Sequence, residues 1–146
     1  MKKKQDPNTN TTSPIENVKS TCTLPLEFGK SPPLRLTNFY ARILEKKIGT
    51  RPTINYGLAV KTFNSLLAEM EEIQVALIIM AHCNYSSRKD DGWLEKQLKQ
   101  RVWPLTFIIN NCNVYKTYLI YEKMIEFDDL DTAKEVVSNY INRLTN

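Results

Sequence analysis

The sequence predicts an all-α protein, a compact bundle of five or more helices that follows a disordered N-terminal tail. Between Leu36 and Leu144, apolar residues recur at three- and four-residue spacing, which is the period of one face of a helix. No catalytic signature interrupts this pattern. The hydrophobic fraction is 42%, slightly below the globular norm of about 45–50%. The 146 residues therefore suit one helical domain together with a polar segment.

The polar segment is the tail, residues 1–33, which holds five of the seven prolines of the chain. These prolines lie among Asn, Thr, Ser and Lys, and such a composition buries too little apolar surface to offset the entropy lost on ordering. We expect the helical domain to span residues 34–146. Within the tail, Thr23–Phe28 is the only short apolar stretch. It is either a docking motif or a strap on the core, and we favour the strap.

The first helix of the domain is expected from Leu36 to Ile48. Thr37 or Asn38 is the candidate N-cap, because a short polar side chain accepts a hydrogen bond from the free N–H groups of a first turn. Gly49 follows at the position where a left-handed residue ends many helices. The expected buried stripe is Leu36, Phe39, Tyr40, Ile43, Leu44 and Ile48.

Pro52 breaks the chain after the first helix, because it disfavours helical geometry at Arg51. Thr53 can then cap a second helix from Ile54 to Met70. Gly57 in this helix costs about 1 kcal/mol relative to alanine. Either it allows close packing or the approach of a ligand, or it is merely tolerated. The expected buried stripe is Tyr56, Val60, Phe63, Leu67 and Met70.

A third helix is expected from Glu71 to Asn84, and it is apolar on nearly all sides from Val75 to Ala81. A helix without a polar face is covered by its neighbours, so this helix should lie at the centre of the bundle. Tyr85–Gly92 is the longest polar interruption in the domain. We expect it to be a mobile surface loop.

Beyond this loop we expect a short helix at Trp93–Gln100 and a longer one whose first turn holds Pro104, because proline fits the first helical position. The longer helix is expected to carry Phe107, Ile108, Asn111, Val114, Tyr115, Tyr118, Leu119 and Met124. A last amphipathic helix starts at Asp129, where an acidic side chain favours the helix dipole. Its stripe is Ala133, Val136, Val137, Tyr140, Ile141 and Leu144.

The sequence argues against a secreted or membrane-spanning protein. No window approaches the ~18–20 unbroken apolar residues of a membrane span. The basic start is followed by Asn, Thr, Ser and Pro instead of the apolar core of a signal peptide. The three cysteines, Cys22, Cys83 and Cys112, have no metal-ligand or redox spacing, so we expect reduced thiols and a cytoplasmic location.

His82 and Cys83 form the only pair that suggests a base with a nucleophile or a metal ligand set. Adjacent helical residues point about 100° apart, and the chain has a single histidine. A structural role is therefore favoured. The carboxylate pairs Glu71–Glu72 and Asp90–Asp91 suit a helix start and a polar loop. We expect no enzyme activity, no metal and no cofactor.

The net charge of +4 is unevenly distributed, because residues 128–146 carry two basic and four acidic side chains. One basic cluster lies at the end of the first helix, and a second lies around Trp93 and Trp103. The clusters are Arg42, Lys46, Lys47 and Arg51, then Arg88, Lys89, Lys96, Lys99 and Arg101. Basic side chains interleaved with exposed aromatics neutralise phosphates and stack bases. An ordinary solvated face explains the same pattern.

Three short stretches carry a resemblance to a known family: Ile48–Tyr56, Asp90–Leu94 and Pro104–Asn111. They are a Gly-X-X-Pro loop leading to Ile-Asn-aromatic at the start of a helix, a polar loop with Trp, and a Phe-containing helix rich in Ile, Leu and Asn. In this order, residues 36–120 resemble a small helical module of phage and prophage DNA-replication proteins. The module lies at the C-terminal side of replisome organisers and helicase-loading initiators.

The resemblance implies a small non-enzymatic DNA-replication accessory protein of phage or mobile-element origin. Its partner would be DNA, single-stranded DNA included, or a replication protein such as a helicase. The expected nucleic-acid contacts are phosphate contacts from Arg51, Lys61, Lys89, Lys96 and Lys99, polar or stacking contacts from Asn55 and Tyr56, and stacking by Trp93. The alternative is a protein-interaction or regulatory adaptor without nucleic-acid binding, whose partner docks on exposed helix faces and on the acidic last helix.

Overall fold

The computed structural model describes residues 22–50, 52–89 and 105–145, and within these ranges the chain is helical without a β-strand. This confirms the predicted all-α class. None of the described helices is long and apolar enough to cross a membrane. The predicted tail up to residue 21, the predicted helix at Trp93–Gln100 and the predicted helix start at Pro104 lie outside the described residues.

Six α-helices are described, with a 3₁₀ turn before them and a π-helical turn between the fifth and the sixth. The helices are α1 (Pro32–Ile48), α2 (Tyr56–Leu67), α3 (Glu72–Lys89), α4 (Phe107–Asn110), α5 (Cys112–Thr117) and α6 (Leu130–Thr145). The 3₁₀ turn is Leu26–Phe28, and the π-helical turn is Tyr118–Glu122.

The centre of the bundle is α3, which contacts α1, α2, α5 and α6. All residues from Glu72 to Cys83 are buried, which confirms the central position predicted for this helix. The helix also continues to Lys89, so the loop predicted for Tyr85–Gly92 is wrong as far as Lys89. Polarity indicates exposure and not the end of a helix, and neither Gly nor Pro occurs between Cys83 and Gly92.

The segment before α1 is a strap packed on the core. Leu24 and Phe28 are 0% and 1% exposed, and the Phe28 ring meets the Phe39 ring edge-on with centroids 5.9 Å apart. At Gly29, whose φ is +151°, a Cβ atom would lie 2.9 Å from Leu34 Cγ. The burial of Leu24 and Phe28 confirms the strap at Thr23–Phe28. It also corrects the disorder predicted for residues 22–33, because these two side chains bury apolar surface that is not apparent from the proline-rich composition.

A buried ion pair joins the strap, α1 and α3. Arg35 Nε and Nη2 donate to the two carboxylate oxygens of Glu72, each at 2.8 Å. The backbone N–H of Leu24 donates to Glu72 Oε2 at 2.9 Å, and Arg35 Nη1 donates to the Gly29 carbonyl at 3.3 Å. The hydrogen bonds to Glu72 raise the pKa of Arg35. The geometry is the bidentate arrangement in which such pairs are strongest.

Helix α1 starts four residues earlier than predicted, because Pro32 and Pro33 occupy its first turn, where proline needs no N–H partner. Thr37 is therefore inside the helix, and its hydroxyl donates to the Pro33 carbonyl at 2.7 Å. The predicted end is confirmed: Gly49 has φ +91° and its N–H donates to the Glu45 carbonyl at 2.8 Å.

Helix α2 is shorter than predicted and is rotated relative to the predicted stripe. Asn55, and not Thr53, caps it, with Oδ1 accepting from the Leu58 N–H at 3.0 Å. A Cβ atom at Gly57 would meet only Asn55 Oδ1, at 3.5 Å, so no close packing requires a glycine there. The buried side chains are Ala59, Thr62, Phe63 and Leu66. Tyr56 is 42% exposed, so its place in the predicted stripe was wrong.

The single helix predicted after Pro104 is divided into α4, α5 and the π-helical turn. The first break lies at Asn111, whose φ and ψ of −111° and 15° leave the helical range and whose Nδ2 donates to the Phe107 carbonyl at 2.8 Å. Met124 lies beyond the last turn with φ +56° and is 80% exposed, so it is outside the helix that was predicted to carry it.

Helix α6 confirms the predicted closing helix. Asp129 caps it by accepting from the Thr132 N–H at 3.2 Å and from the Thr132 hydroxyl at 2.9 Å, and these bonds lower the pKa of Asp129. Ala133, Val137 and Ile141 are buried, and the helix packs on α3 and α1. Its apolar face is therefore occupied by the core, while Asp131 and Glu135 are exposed.

Candidate functional site

Tyr56 is held in a fixed, solvent-facing position where α2 begins. Its hydroxyl donates to Asn38 Oδ1 at 3.0 Å, and Asn38 Nδ2 donates to the Phe28 carbonyl at 2.6 Å. Two hydrogen bonds thus connect the Tyr56 side chain through α1 to the strap. An exposed aromatic ring that is restrained by a hydrogen bond is well suited to stacking, because less entropy is lost when a planar group binds.

Two basic side chains lie near the partners of this hydrogen-bond chain, Asn38 and Phe28. Arg42 follows Asn38 by one turn of α1 and is half-buried, with Cζ 5.1 Å from the centroid of the Phe28 ring. Lys30 is exposed two residues after Phe28. We call Lys30, Asn38, Arg42 and Tyr56 the Tyr56 surface.

Acidic side chains limit the positive charge of the Tyr56 surface. Glu27 is exposed beside Phe28, and Glu45 is exposed one turn after Arg42 on α1. Electrostatic attraction to a polyanion is therefore modest here, and stacking has to supply a larger share of any affinity.

Asn55 was predicted as a nucleic-acid contact. Its side-chain oxygen accepts the N-terminal hydrogen bond of α2. The amide nitrogen of this exposed residue is the group that a ligand can use. The capping bond also fixes the direction of the Asn55 side chain next to Tyr56.

Lys61 is exposed on α2. It lies five positions after Tyr56, which places the two side chains about 140° apart around a helix of 3.6 residues per turn. The structure therefore does not bring Lys61 onto the face that carries Tyr56. Lys46 and Lys47 occupy the last turn of α1, where basic side chains favour the helix dipole whatever else they do.

The other predicted nucleic-acid contacts lie outside the described residues. They are Arg51, Trp93, Lys96, Lys99 and the Lys89 side chain at the end of α3. Of the predicted contacts, the Tyr56 surface therefore includes Tyr56 itself. It adds Asn38, predicted only as a helix cap, and Lys30, assigned to the tail. A bond across eighteen residues has no local signal, so the sequence could not reveal the role of Asn38.

His82 and Cys83 are both fully buried, as their predicted structural role requires. His82 Nδ1 lies 2.8 Å from the Tyr115 hydroxyl, and the two rings meet edge-on with centroids 5.4 Å apart. Burial raises the pKa of the Cys83 thiol to about 12, so this thiol is a poor nucleophile at neutral pH. Within the described parts of the chain, no three His, Cys, Asp or Glu side chains are grouped to hold a metal ion.

Comparison of the chain with protein-family models, with curated proteins and with solved structures finds no match.

Proposed function

We propose that this protein is a small non-enzymatic DNA-replication accessory protein of phage or mobile-element origin that binds single-stranded nucleic acid through the Tyr56 surface. The observation that carries the proposal is the exposed Tyr56 ring, whose hydroxyl is hydrogen-bonded to Asn38, with Arg42 one turn after Asn38 on α1. The replication role is supported by the sequence resemblance, because the stretch Ile48–Tyr56 that carries it also ends at this ring.

In the proposed mode of binding, an unpaired base stacks on Tyr56, and Lys30 and Arg42 contact the neighbouring phosphates. Stacking requires an unpaired base, since a base within a duplex already stacks on its neighbours. Asn38 holds the Tyr56 side chain in place and does not need to touch the ligand. Arg51, Lys61, Lys89, Lys96, Lys99 and Trp93 remain predicted contacts beyond this surface.

The test is fluorescence anisotropy with a labelled oligothymidine and with a duplex of the same length. Tyr56→Ala should weaken single-strand binding by about 1–3 kcal/mol, the contribution of one stacked base, and should change duplex binding little. Tyr121→Ala is the matched control, because Tyr121 is 74% exposed and lies on the π-helical turn. Its affinity should equal that of the wild type.

Salt dependence separates the phosphate contacts from stacking. Lys30→Gln should reduce the log–log salt slope by roughly 0.7, the value for one phosphate of a single strand, and Tyr56→Ala should leave the slope unchanged. The triple replacement of Lys89, Lys96 and Lys99 by Ala should reduce it further if the second basic cluster takes part. No binding of DNA or RNA at low salt, where electrostatic attraction is strongest, would refute the proposal.

A second candidate function is a protein-interaction adaptor, and one observation favours it. Of the nine large apolar side chains that are exposed in the described parts of the chain, six lie between Phe107 and Met124. Contiguous exposed apolar surface marks many protein interaction sites. If nucleic acid does not bind, a pull-down from the native host with the wild type and with Tyr121→Ser plus Met124→Ser would test this candidate. A replication protein such as a helicase, retained only by the wild type, is the expected result.

A further inference from the structure

A cleft of about 260 Å³ lies between α3, the π-helical turn and α6. Its apolar wall includes Met80, Leu119 and Val136, and its polar wall includes Asn84 and Tyr140. An apolar pocket with a few convergent polar groups is the usual form of a small-molecule site, and pockets for drug-sized ligands measure roughly 300–1,000 Å³. The volume of this cleft is below that range, so it suits a ligand smaller than a typical drug.

Two cations border the cleft, and each is held against a tyrosine ring. Lys123 Nζ lies 5.9 Å from the centroid of the Tyr118 ring, and Arg143 Cζ lies 5.5 Å from the centroid of the Tyr140 ring. Among the described residues, no carboxylate forms an ion pair with either of them. Their positive charges are therefore available to an anion at the mouth of the cleft.

Tyr140 adds a hydrogen-bond donor inside the cleft. Its hydroxyl oxygen accepts from Asn84 Nδ2 at 3.3 Å, which leaves the hydroxyl proton for another acceptor. Burial raises the pKa of Tyr140, so the proton is retained at neutral pH. Asn84 Nδ2 also donates to the Met80 carbonyl at 2.7 Å, which fixes the amide.

The backbone next to Lys123 has an unusual conformation. The π-helical turn ends at Glu122, and Met124 then has φ +56°, a left-handed conformation that non-glycine residues seldom adopt. The Met124 side chain is 80% exposed, so the conformation does not serve its packing. π-helical turns are rare and often lie at functional sites, and here the turn brings Lys123 to the edge of the cleft.

We propose that the cleft binds a small organic monoanion, a carboxylate with an apolar body. The carboxylate lies between Lys123 and Arg143 and accepts a hydrogen bond from the Tyr140 hydroxyl, and the apolar body contacts Met80, Leu119 and Val136. Inorganic phosphate would leave the apolar wall unused, and a nucleotide is too large for the cleft. The site is separate from the Tyr56 surface, so the proposal does not depend on nucleic-acid binding.

The probe is 3-phenylpropionate, followed by isothermal titration calorimetry and by backbone amide shifts in ¹⁵N-labelled protein. Its neutral amide should bind roughly tenfold more weakly, because hydrogen bonds to a charged group are the stronger ones. The amine of the same skeleton and inorganic phosphate should not bind. The largest shifts should fall on the cleft segments around Met80, Leu119 and Val136. Equal affinity for the carboxylate and the amide would overturn the proposal.

Charge variants localise the anion. Lys123→Gln and Arg143→Gln should each weaken 3-phenylpropionate binding roughly tenfold, and both cations are exposed, so the fold should tolerate the changes. Lys116→Gln is the matched control, because Lys116 Nζ lies 5.2 Å from the Phe127 ring centroid and does not line the cleft. If Lys123→Gln and Arg143→Gln bind the carboxylate as the wild type does, it does not bind between these cations and the assignment is wrong.

Discussion

Glu72 is the residue at which the strap, α1 and α3 meet. Its carboxylate accepts two hydrogen bonds from Arg35 and one from the Leu24 backbone. The Arg35 and Glu72 side chains are only 7% and 4% exposed, so water cannot replace these partners. A buried charge without its partner is far more costly than a buried pair.

Glu72→Gln should therefore lower the free energy of unfolding by about 3–5 kcal/mol, because it leaves the Arg35 guanidinium buried without a counter-ion. Urea denaturation followed by far-UV circular dichroism measures the change. The neighbouring Glu71 is exposed, and Glu71→Gln should change stability by less than about 0.5 kcal/mol. Similar losses in the two variants would mean that the ion pair is not the cause.

Residue roles that depend on near neighbours could be predicted from the sequence. Gly49 was placed correctly at a left-handed helix end, because such an end requires only the preceding turn and a residue that tolerates positive φ. The roles of Arg35 and Asn38 could not be predicted. Arg35 pairs with Glu72 across 37 positions and Asn38 with Tyr56 across 18, and no local pattern records which distant side chain will lie opposite.

At the scale of elements, the strap shows how little apolar sequence is needed to order a segment. Leu24 and Phe28 are fully buried, whereas Leu26 between them is 64% exposed. The sequence predicted a strap but also disorder up to residue 33, because composition averaged over the tail hides two well-placed side chains. How many residues of the tail are ordered depends on where Leu24 and Phe28 pack. Amino-acid composition carries no information about those contacts.

Phe28→Ala should destabilise the protein by about 3–5 kcal/mol and Leu24→Ala by about 2–5 kcal/mol, since each leaves a cavity against the core. Leu26→Ala serves as the matched control with an exposed side chain, and it should have a small effect. Thermal unfolding of the three variants provides the measurement. Wild-type melting temperatures for Phe28→Ala and Leu24→Ala would show that the strap does not contribute to the folded core.

Helix boundaries were the least predictable feature of the elements. The periodicity located α1, α2, α3 and α6, but α1 begins earlier, α3 ends later and α2 is shorter than predicted. Capping chemistry explains part of the difference: proline fits the first turn of α1, and Asn55 outcompetes Thr53 as the cap of α2. The division between α4 and α5 lies at Asn111, whose backbone leaves the helical range, and the spacing of apolar residues does not reveal it.

At the scale of the whole molecule, the described residues of the bundle form two outward surfaces of different chemistry. The Tyr56 surface is aromatic with mixed charge, and the region from Phe107 to Met124 is largely apolar. Both are built on helices that pack against the buried α3. The sequence could predict the aromatic side chain of the first surface but not its hydrogen bond to α1, and it placed several residues of the second surface on one helix without predicting their exposure.

The adaptor alternative places the partner on exposed helix faces and on the acidic last helix, and the packing of α6 determines whether its buried face is also available to a partner. Ile141 is 7% exposed, so Ile141→Ala should reduce stability by about 2–5 kcal/mol. If the bundle unfolds as one unit, the slowest-exchanging amides of α2 should lose the same free energy of protection, although α2 itself packs on α1 and α3.

Native-state hydrogen exchange of the Ile141→Ala protein measures the loss of protection in α6 and α2 directly. The control is Asn142→Ala, at an exposed position. Faster exchange in both α6 and α2 is the expected result, because the buried face of α6 is part of the same core that α3 organises. Faster exchange in α6 with unchanged α2 would instead show that α6 opens separately. In that case the last helix could separate from the core to bind a partner, and the result would favour the adaptor function over nucleic-acid binding.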